Sequence, residues 1–443
     1  MTAYYADYAW LGGDRVDAAV QIDVDGERIG DVRAGAEPSP EATRLAGVTL
    51  PGLANAHSHA FHRALRGRTH RSGGSFWTWR EDMYAVAARL TPDSYHALAR
   101  ATYAEMAMAG ITCVGEFHYL HHDTGGVPYD DANAFGEALI AAAADAGIQI
   151  TLLDTCYLAG GIGQELQGPQ LRFGDADAEA WAERASDLRG TRHARLGAAI
   201  HSVRAVPAEA LETVVAWAHE RRAPLHFHLS EQRAENEACL AAHGRSPTAL
   251  LEDHGVLGAR SCAVHATHLS EDDIALLGES ATTICMCPTT ERDLADGIGP
   301  ARALGDAGSP LSLGSDSNAF VDPFEEARAV ELDERLASER RGHWDAADLL
   351  RAATAGGNAT LGWAEGGRLA VGALADFTTI GLDSVRLAGA APATLLESLV
   401  FAAGAADVRE VVVGGRHIVT EGRHELVGEV AAELDSSIRA VLE

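Results

Sequence analysis

Hydrophobic positions fall into short runs whose spacing changes twice along the chain. Over residues 1–50 they alternate with polar ones. The run Ala18-Ala19-Val20-Gln21-Ile22-Asp23-Val24, followed by Asp25-Gly26, reads as strands joined by a tight turn. From Thr49 to about residue 370, apolar runs at 110–115, 148–153, 196–200, 224–229, 262–264, 281–286 and 311–314 are separated by Ala-rich stretches, most of them long enough to be helices. Strand followed by helix, repeated, is the pattern of a parallel sheet, and eight such units would close a barrel. After Gly366-Gly367-Arg368-Leu369 the alternation returns at 375–380 and 408–413, with Gly414-Gly415 as a hairpin turn, and residues 427–443 carry helical spacing. The expected class is α/β. A (β/α)8 barrel spans 51–370, beside a small discontinuous β-sandwich domain built from 1–50 and from 371–443, the latter with a terminal helix.

Composition narrows the chemistry. The 443 residues carry 35 basic against 64 acidic side chains, a formal charge of −29, and every basic residue is Arg because the sequence has no lysine. A phosphate loop with its Lys, a Schiff-base amine and a carbamylated Lys bridging two metal ions are therefore excluded. The acidic excess argues against nucleic acid or an anionic membrane as partner, so an anionic substrate has to be caught by local arginines. Cysteines at 113, 156, 239, 262, 285 and 287 form no C-x-x-C pair, as expected of a reducing cytoplasm. The sequence opens without a basic-then-apolar leader, and no run of about 18 apolar residues occurs. Both features fit a soluble cytoplasmic protein.

Four segments carry candidate chemistry. Leu53-Ala54-Asn55-Ala56-His57-Ser58-His59 ends an apolar strand in two histidines of the same parity, able to grip one ion from one wall. Pro224-Leu225-His226-Phe227-His228-Leu229-Ser230-Glu231 ends another in a histidine with a carboxylate three residues on, the arrangement for a ligand beside a proton shuttle. His226 shares that parity but lies one layer deeper, where a packed core histidine is expected. His265 follows the run at 262–264, with His268 a less favoured alternative, and Asp316 follows the run at 311–314. Singly, each has an ordinary reading as a cap, turn or solvated residue. In this order, at strand ends where barrel active sites collect, they outline a site of three imidazoles and a carboxylate suited to one divalent ion, zinc first and iron second.

The order and spacing resemble the amidohydrolase superfamily, in its mononuclear deaminase branch. Closer likeness lies in residues 55–64, Ser75-Phe76-Trp77-Thr78-Trp79-Arg80-Glu81, Glu116-Phe117-His118-Tyr119-Leu120-His121-His122-Asp123, His201-Ser202-Val203-Arg204 and Ala266-Thr267-His268, which resemble the formimidoylglutamate deiminase family. The resemblance implies hydrolysis of N-formimidoyl-L-glutamate to N-formyl-L-glutamate and ammonia in histidine degradation, by a homodimer holding one metal ion. His57, His59, His228 and Asp316 would be the ligands. Asp316 would also take a proton from water, Glu231 would pass one to the departing nitrogen, and His265 would face the attacked centre. Arg80 and Arg204 would clamp the substrate carboxylates, with Tyr119, His201 and His62 beside them. The family often has Gln where His62 stands, which leaves the part played by His62 open. Trp77 and Trp79 read first as packing aromatics. Two rival functions stay in view: a deaminase of the same branch acting on a purine or another amidine, and a barrel that only binds a ligand.

Overall fold

The computed structural model describes residues 2–70 and 74–443. The chain opens with strands β1 (Thr2–Ala9), β2 (Asp17–Asp25), β3 (Arg28–Arg33) and β4 (Thr43–Pro51). Eight strands follow: β5 (Leu53–Ser58), β6 (Ile111–His118), β7 (Gln149–Cys156), β8 (Ala194–Ile200), β9 (Leu225–Leu229), β10 (Ser261–His265), β11 (Thr283–Met286) and β12 (Leu311–Leu313). They pair in sequence order, all parallel, and a parallel bridge between Ser58 and Asp316 joins the last to the first. Helices cover the outside. Strands β5, β6, β7, β9, β10 and β11 are buried at every position, which is why they read as continuous apolar runs instead of alternating ones.

The two chain ends build a second sheet. Strands β13 (Phe377–Ile380), β14 (Val408–Val413), β15 (Arg416–Thr420) and β16 (Arg423–His424) continue from β4, giving the order β16-β15-β14-β13-β4-β1-β2-β3. β13 runs antiparallel to β4 with Phe377 opposite Pro51, and the buried hydroxyls of Thr49 and Thr379 hydrogen-bond across the join at 2.9 Å. The sheet curls until Arg28 on β3 bridges Leu374, just ahead of β13, closing around Tyr4, Val20, Ile22, Leu45 and Phe377. Two of the boundaries that differ from the sequence reading do so for a backbone reason. Ala281 sits at φ +53, so β11 starts only at Thr283. Gly428 sits at φ +56, and the last helix begins at Val430 and runs to Leu442.

Candidate metal centre

His57 and His59 leave the end of β5, His228 the end of β9, and Asp316 the turn after β12. One donor atom from each lies within 4.8 Å of the others, and all four residues are buried. Burial and the neighbouring imidazoles hold all three histidines well below their ordinary pKa, so they are neutral. His59 Nδ1 donates to the Phe117 carbonyl at 2.9 Å and His228 Nδ1 to the His201 carbonyl at 2.8 Å, leaving both Nε2 atoms as bare lone pairs. His228 Nε2 then lies 3.1 Å from His57 Nε2, and Asp316 Oδ1 lies 3.5 Å and 3.4 Å from Nε2 of His57 and His59. Acceptor atoms facing each other in a dry pocket fit a cation, and three nitrogens with one carboxylate oxygen suit a borderline divalent ion.

The barrel seam fixes this geometry. Asp316, at φ +45, receives the His59 amide on its carbonyl at 3.0 Å and gives its own N–H to the His57 carbonyl at 2.9 Å. Behind it, Asn55 accepts the Ser315 amide at 2.9 Å, and Asn318 donates to the His59 carbonyl at 3.0 Å. Ser230, His265 and Ala266 also adopt positive φ, at 50°, 69° and 50°. Strained backbone is thus part of the mouth that carries the polar cluster.

Next to the four donors stand Glu231 and His265. His265 Nε2 is 3.7 Å from Asp316 Oδ2 and 4.0 Å from Glu231 Oε1, and its Nδ1 faces Glu291 at 3.3 Å. Burial opposes a charge on His265, yet Glu231, Glu291 and Asp316 around it raise its pKa to about 10. Burial also pushes the Glu231 carboxyl up to about 7, against the pull of His265 and Arg204. For Asp316 burial works the same way, but the imidazolium of His265 outweighs it and holds the carboxyl below the ordinary carboxylate range.

A small cavity of about 60 Å³ opens from this cluster. Arg80, Tyr119, His201, Arg204 and His62 all line it, as do His59, His228, Glu231, His265 and Asp316; His57 lies buried beneath. One wall is the helix Phe76–Ala87, whose residues 76, 79, 80, 83 and 84 share one face at helical spacing and all meet the cavity. Trp79 is on that face, against His62 at 5.0 Å, whereas Trp77 is 41% exposed and stacks under the Arg80 guanidinium at 4.6 Å. Arg80 Nε is buried with no hydrogen-bond partner among the described residues. Arg204 is partly committed: its Nε donates to Glu235 at 2.6 Å, while Nη2 reaches to 4.0 Å from Glu231. Tyr119 Oη and His62 Nε2 share a hydrogen bond of 2.8 Å.

His226 lies deeper, bonded through Nε2 to the Thr360 carbonyl at 3.1 Å. His268 lines a different, outer cavity with Arg233 and Leu269. Sequence reasoning missed Glu291, Glu235, Tyr84, Tyr157, Phe173 and Gln170. For Tyr84 a signal existed, since it continues the i, i+4 face begun by Phe76 and Arg80. Among the described residues, no helix is long and apolar enough to cross a membrane.

Known proteins are similar to this chain in sequence and fold. A family model described as the amidohydrolase family matches residues 48–418. The chain is 38% identical over 439 residues to the formimidoylglutamate deiminase of Pseudomonas aeruginosa, covering 96% of both. It is 30% identical over 379 residues to a 5-methylthioadenosine/S-adenosylhomocysteine deaminase of Natronomonas pharaonis, covering 84% of this chain and 82% of that one. The solved structure of an amidohydrolase from Brucella melitensis matches it with a TM-score of 0.93 at 35% identity, over the full length of both.

Proposed function

The chain belongs to the amidohydrolase family and is a hydrolytic enzyme, and within that family we propose that it converts N-formimidoyl-L-glutamate and water to N-formyl-L-glutamate and ammonia. The observation that carries the substrate class is Arg80. In a chain with 64 acidic residues against 35 arginines, this guanidinium is stacked between Trp77 and Tyr84 in the cavity wall, with its Nε buried and without a hydrogen-bond partner among the described residues. A carboxylate on the substrate satisfies it, and Arg204 on the side of Glu231 offers its Nη end to a second one.

A divalent ion held by His57, His59, His228 and Asp316, zinc first by its preference for nitrogen-rich sets, would lower the pKa of water to near neutrality. Asp316 faces two ways, Oδ1 toward His57 and His59 and Oδ2 toward His265, so the same carboxylate can accept a proton from the attacking water. Glu231, with its pKa near 7, gives up a proton at neutral pH and delivers it to the departing nitrogen, which leaves as ammonia. His265 presents Nε2 between the two carboxylates and supplies positive charge beside the attacked centre.

A second reading, deamination of a purine nucleoside, has in its favour the Natronomonas relative and the rings of Phe76, Trp79 and Phe173 in the cavity. Ammonia release by the zinc-loaded protein separates the two, with N-formimidoyl-L-glutamate, N-formimidoyl-L-aspartate, guanine and adenosine at matched concentrations. We expect kcat/KM for the glutamate derivative to exceed the purines by at least about a hundredfold, since a neutral ligand would leave the half-buried Arg80 guanidinium, with its buried Nε, unpaired. Preference for a purine would overturn the assignment.

A further inference from the structure

Beyond the arginines, the cavity wall holds two phenols, Tyr84 and Tyr157, that share one hydrogen-bond donor. Tyr84 lies on the helix Phe76–Ala87, Tyr157 directly follows β7, and Gln170 sits in the short turn Gly168–Arg172. Gln170 Oε1 accepts the Gln167 amide at 3.2 Å, which fixes the orientation of its side chain and makes Nε2 the donor. That Nε2 group donates to Tyr84 Oη at 3.1 Å and to Tyr157 Oη at 3.2 Å. Both phenol oxygens therefore act as acceptors toward Gln170, so neither hydroxyl spends its proton on that amide, and the two phenols also interact with each other.

The platform is anchored as well as oriented. Arg172, in the same turn as Gln170, is buried and donates to the carbonyls of His122, Ala87 and Leu90, tying the turn to the far end of the helix that carries Tyr84 and Arg80. Arg80 lies over the Tyr84 ring at 5.5 Å. Tyr157 is separated from the candidate metal centre by one ring, His201, whose centroid is 4.5 Å from Tyr157 and 5.1 Å from His228. Burial raises the Tyr157 hydroxyl above its ordinary pKa, so it stays a donor at neutral pH.

We propose that Tyr84 and Tyr157, held from behind by Gln170, donate their hydroxyl protons with Arg80 to the side-chain carboxylate of the substrate, forming a specificity-determining subsite. The proposal rests on the dicarboxylate reading of the cavity. Of the two arginines, Arg204 is the one beside Glu231, which would place the nearer carboxylate with it and the farther one with Arg80 and Tyr84, Tyr157 reaching from Tyr84 toward Arg204. Gln170 is a positioning residue, since it acts through the two phenols.

The test is a KM and kcat comparison on the metal-loaded enzyme, with N-formimidoyl-L-glutamate and with its side-chain amide, N-formimidoyl-L-glutamine. Tyr84→Phe and Tyr157→Phe remove one oxygen each and keep the ring. Each is expected to raise KM for the dicarboxylate about tenfold, the value of one charge-assisted hydrogen bond, with kcat within about twofold and little change for the amide. Gln170→Leu should do the same through both phenols, and the two phenylalanine variants carry the test if it does not fold. Equal losses on both substrates, losses confined to kcat, or no loss would overturn the subsite. Calorimetric binding of glutarate to the metal-loaded protein separates this from failure of the proposed reaction. Glutarate binding weakened about tenfold by the phenylalanine variants supports the subsite even if the formimidoyl compound is not turned over. Glutarate binding that is absent, or equal across the variants, sinks it.

Discussion

At Glu231 burial and charge act in opposite directions: the first keeps a proton on the carboxyl, while His265 and Arg204 draw it off, and the balance near 7 is what proton shuttling at neutral pH requires. Glu231→Gln keeps the shape and removes the titration. Turnover is expected to fall by about 10²–10⁴ in kcat while metal content stays at the wild-type value, because the ligand set is untouched. Ammonia-release kinetics beside elemental analysis check both halves, and loss of metal with activity would show Glu231 to be part of the ion's cage. The sequence could suggest Glu231 because it stands three residues from His228 on one strand end. It could not suggest Glu291, which meets His265 only because the short helix after β11 turns back toward β10. Gln170 is hidden for the same reason: it touches Tyr84, 86 residues away, through the closure of the barrel mouth.

The order of strands was legible because a parallel barrel buries both faces of its strands and so leaves apolar runs, and the return to alternation at the ends marks a sheet of another kind. What strand patterns do not reveal is the seam. Gly314 follows β12 where the barrel closes on β5, and a Cβ there would stand 2.8 Å from His57 Cβ and 3.0 Å from Cys287 Sγ. Gly314→Ala is therefore expected to cost about 1–3 kcal/mol of stability and to weaken metal retention by displacing His57. Thermal melting and metal exchange against a chelator would measure the two effects. At the other junction, His424 on β16 donates through Nε2 to the Ala146 carbonyl at 3.1 Å, while Nδ1 accepts the amides of Leu426 and Val427, both at 3.1 Å. Burial lowers its pKa to about 4, and the nitrogen that would take the proton is already occupied. The unfolded chain binds that proton below about pH 6.5 and the folded one only near 4, so the stability His424 provides is intact above 6.5 and lost as pH falls through this window. His424→Gln should be less stable at pH 7 by about 1–3 kcal/mol, from the hydrogen bonds lost. In denaturant melts that gap should narrow toward pH 4, and a gap constant with pH would exclude the linkage.

For the whole molecule the relevant quantity is the net charge of −29, which opposes the approach of a substrate with two carboxylates and one amidinium, net anionic, from any direction, while the arginines that would bind it act only at contact range. Salt separates the two effects. The Debye length is about 30 Å at 0.01 M and about 8 Å at 0.15 M, so raising ionic strength removes the repulsion of the distant surface and leaves buried, hydrogen-bonded pairs at Arg80 and Arg204 much less screened. For a dicarboxylate, kcat/KM should therefore rise between these two concentrations, mainly through a lower KM. A neutral purine nucleoside feels neither field and should show a flat profile. A fall in kcat/KM with salt for the formimidoyl substrate would mean that the arginine-lined mouth attracts the ligand over a longer range than the acidic surface repels it. The same experiment with Tyr157→Phe should give a parallel curve displaced to higher KM, because that substitution removes a contact donor and leaves the charge of the molecule unchanged.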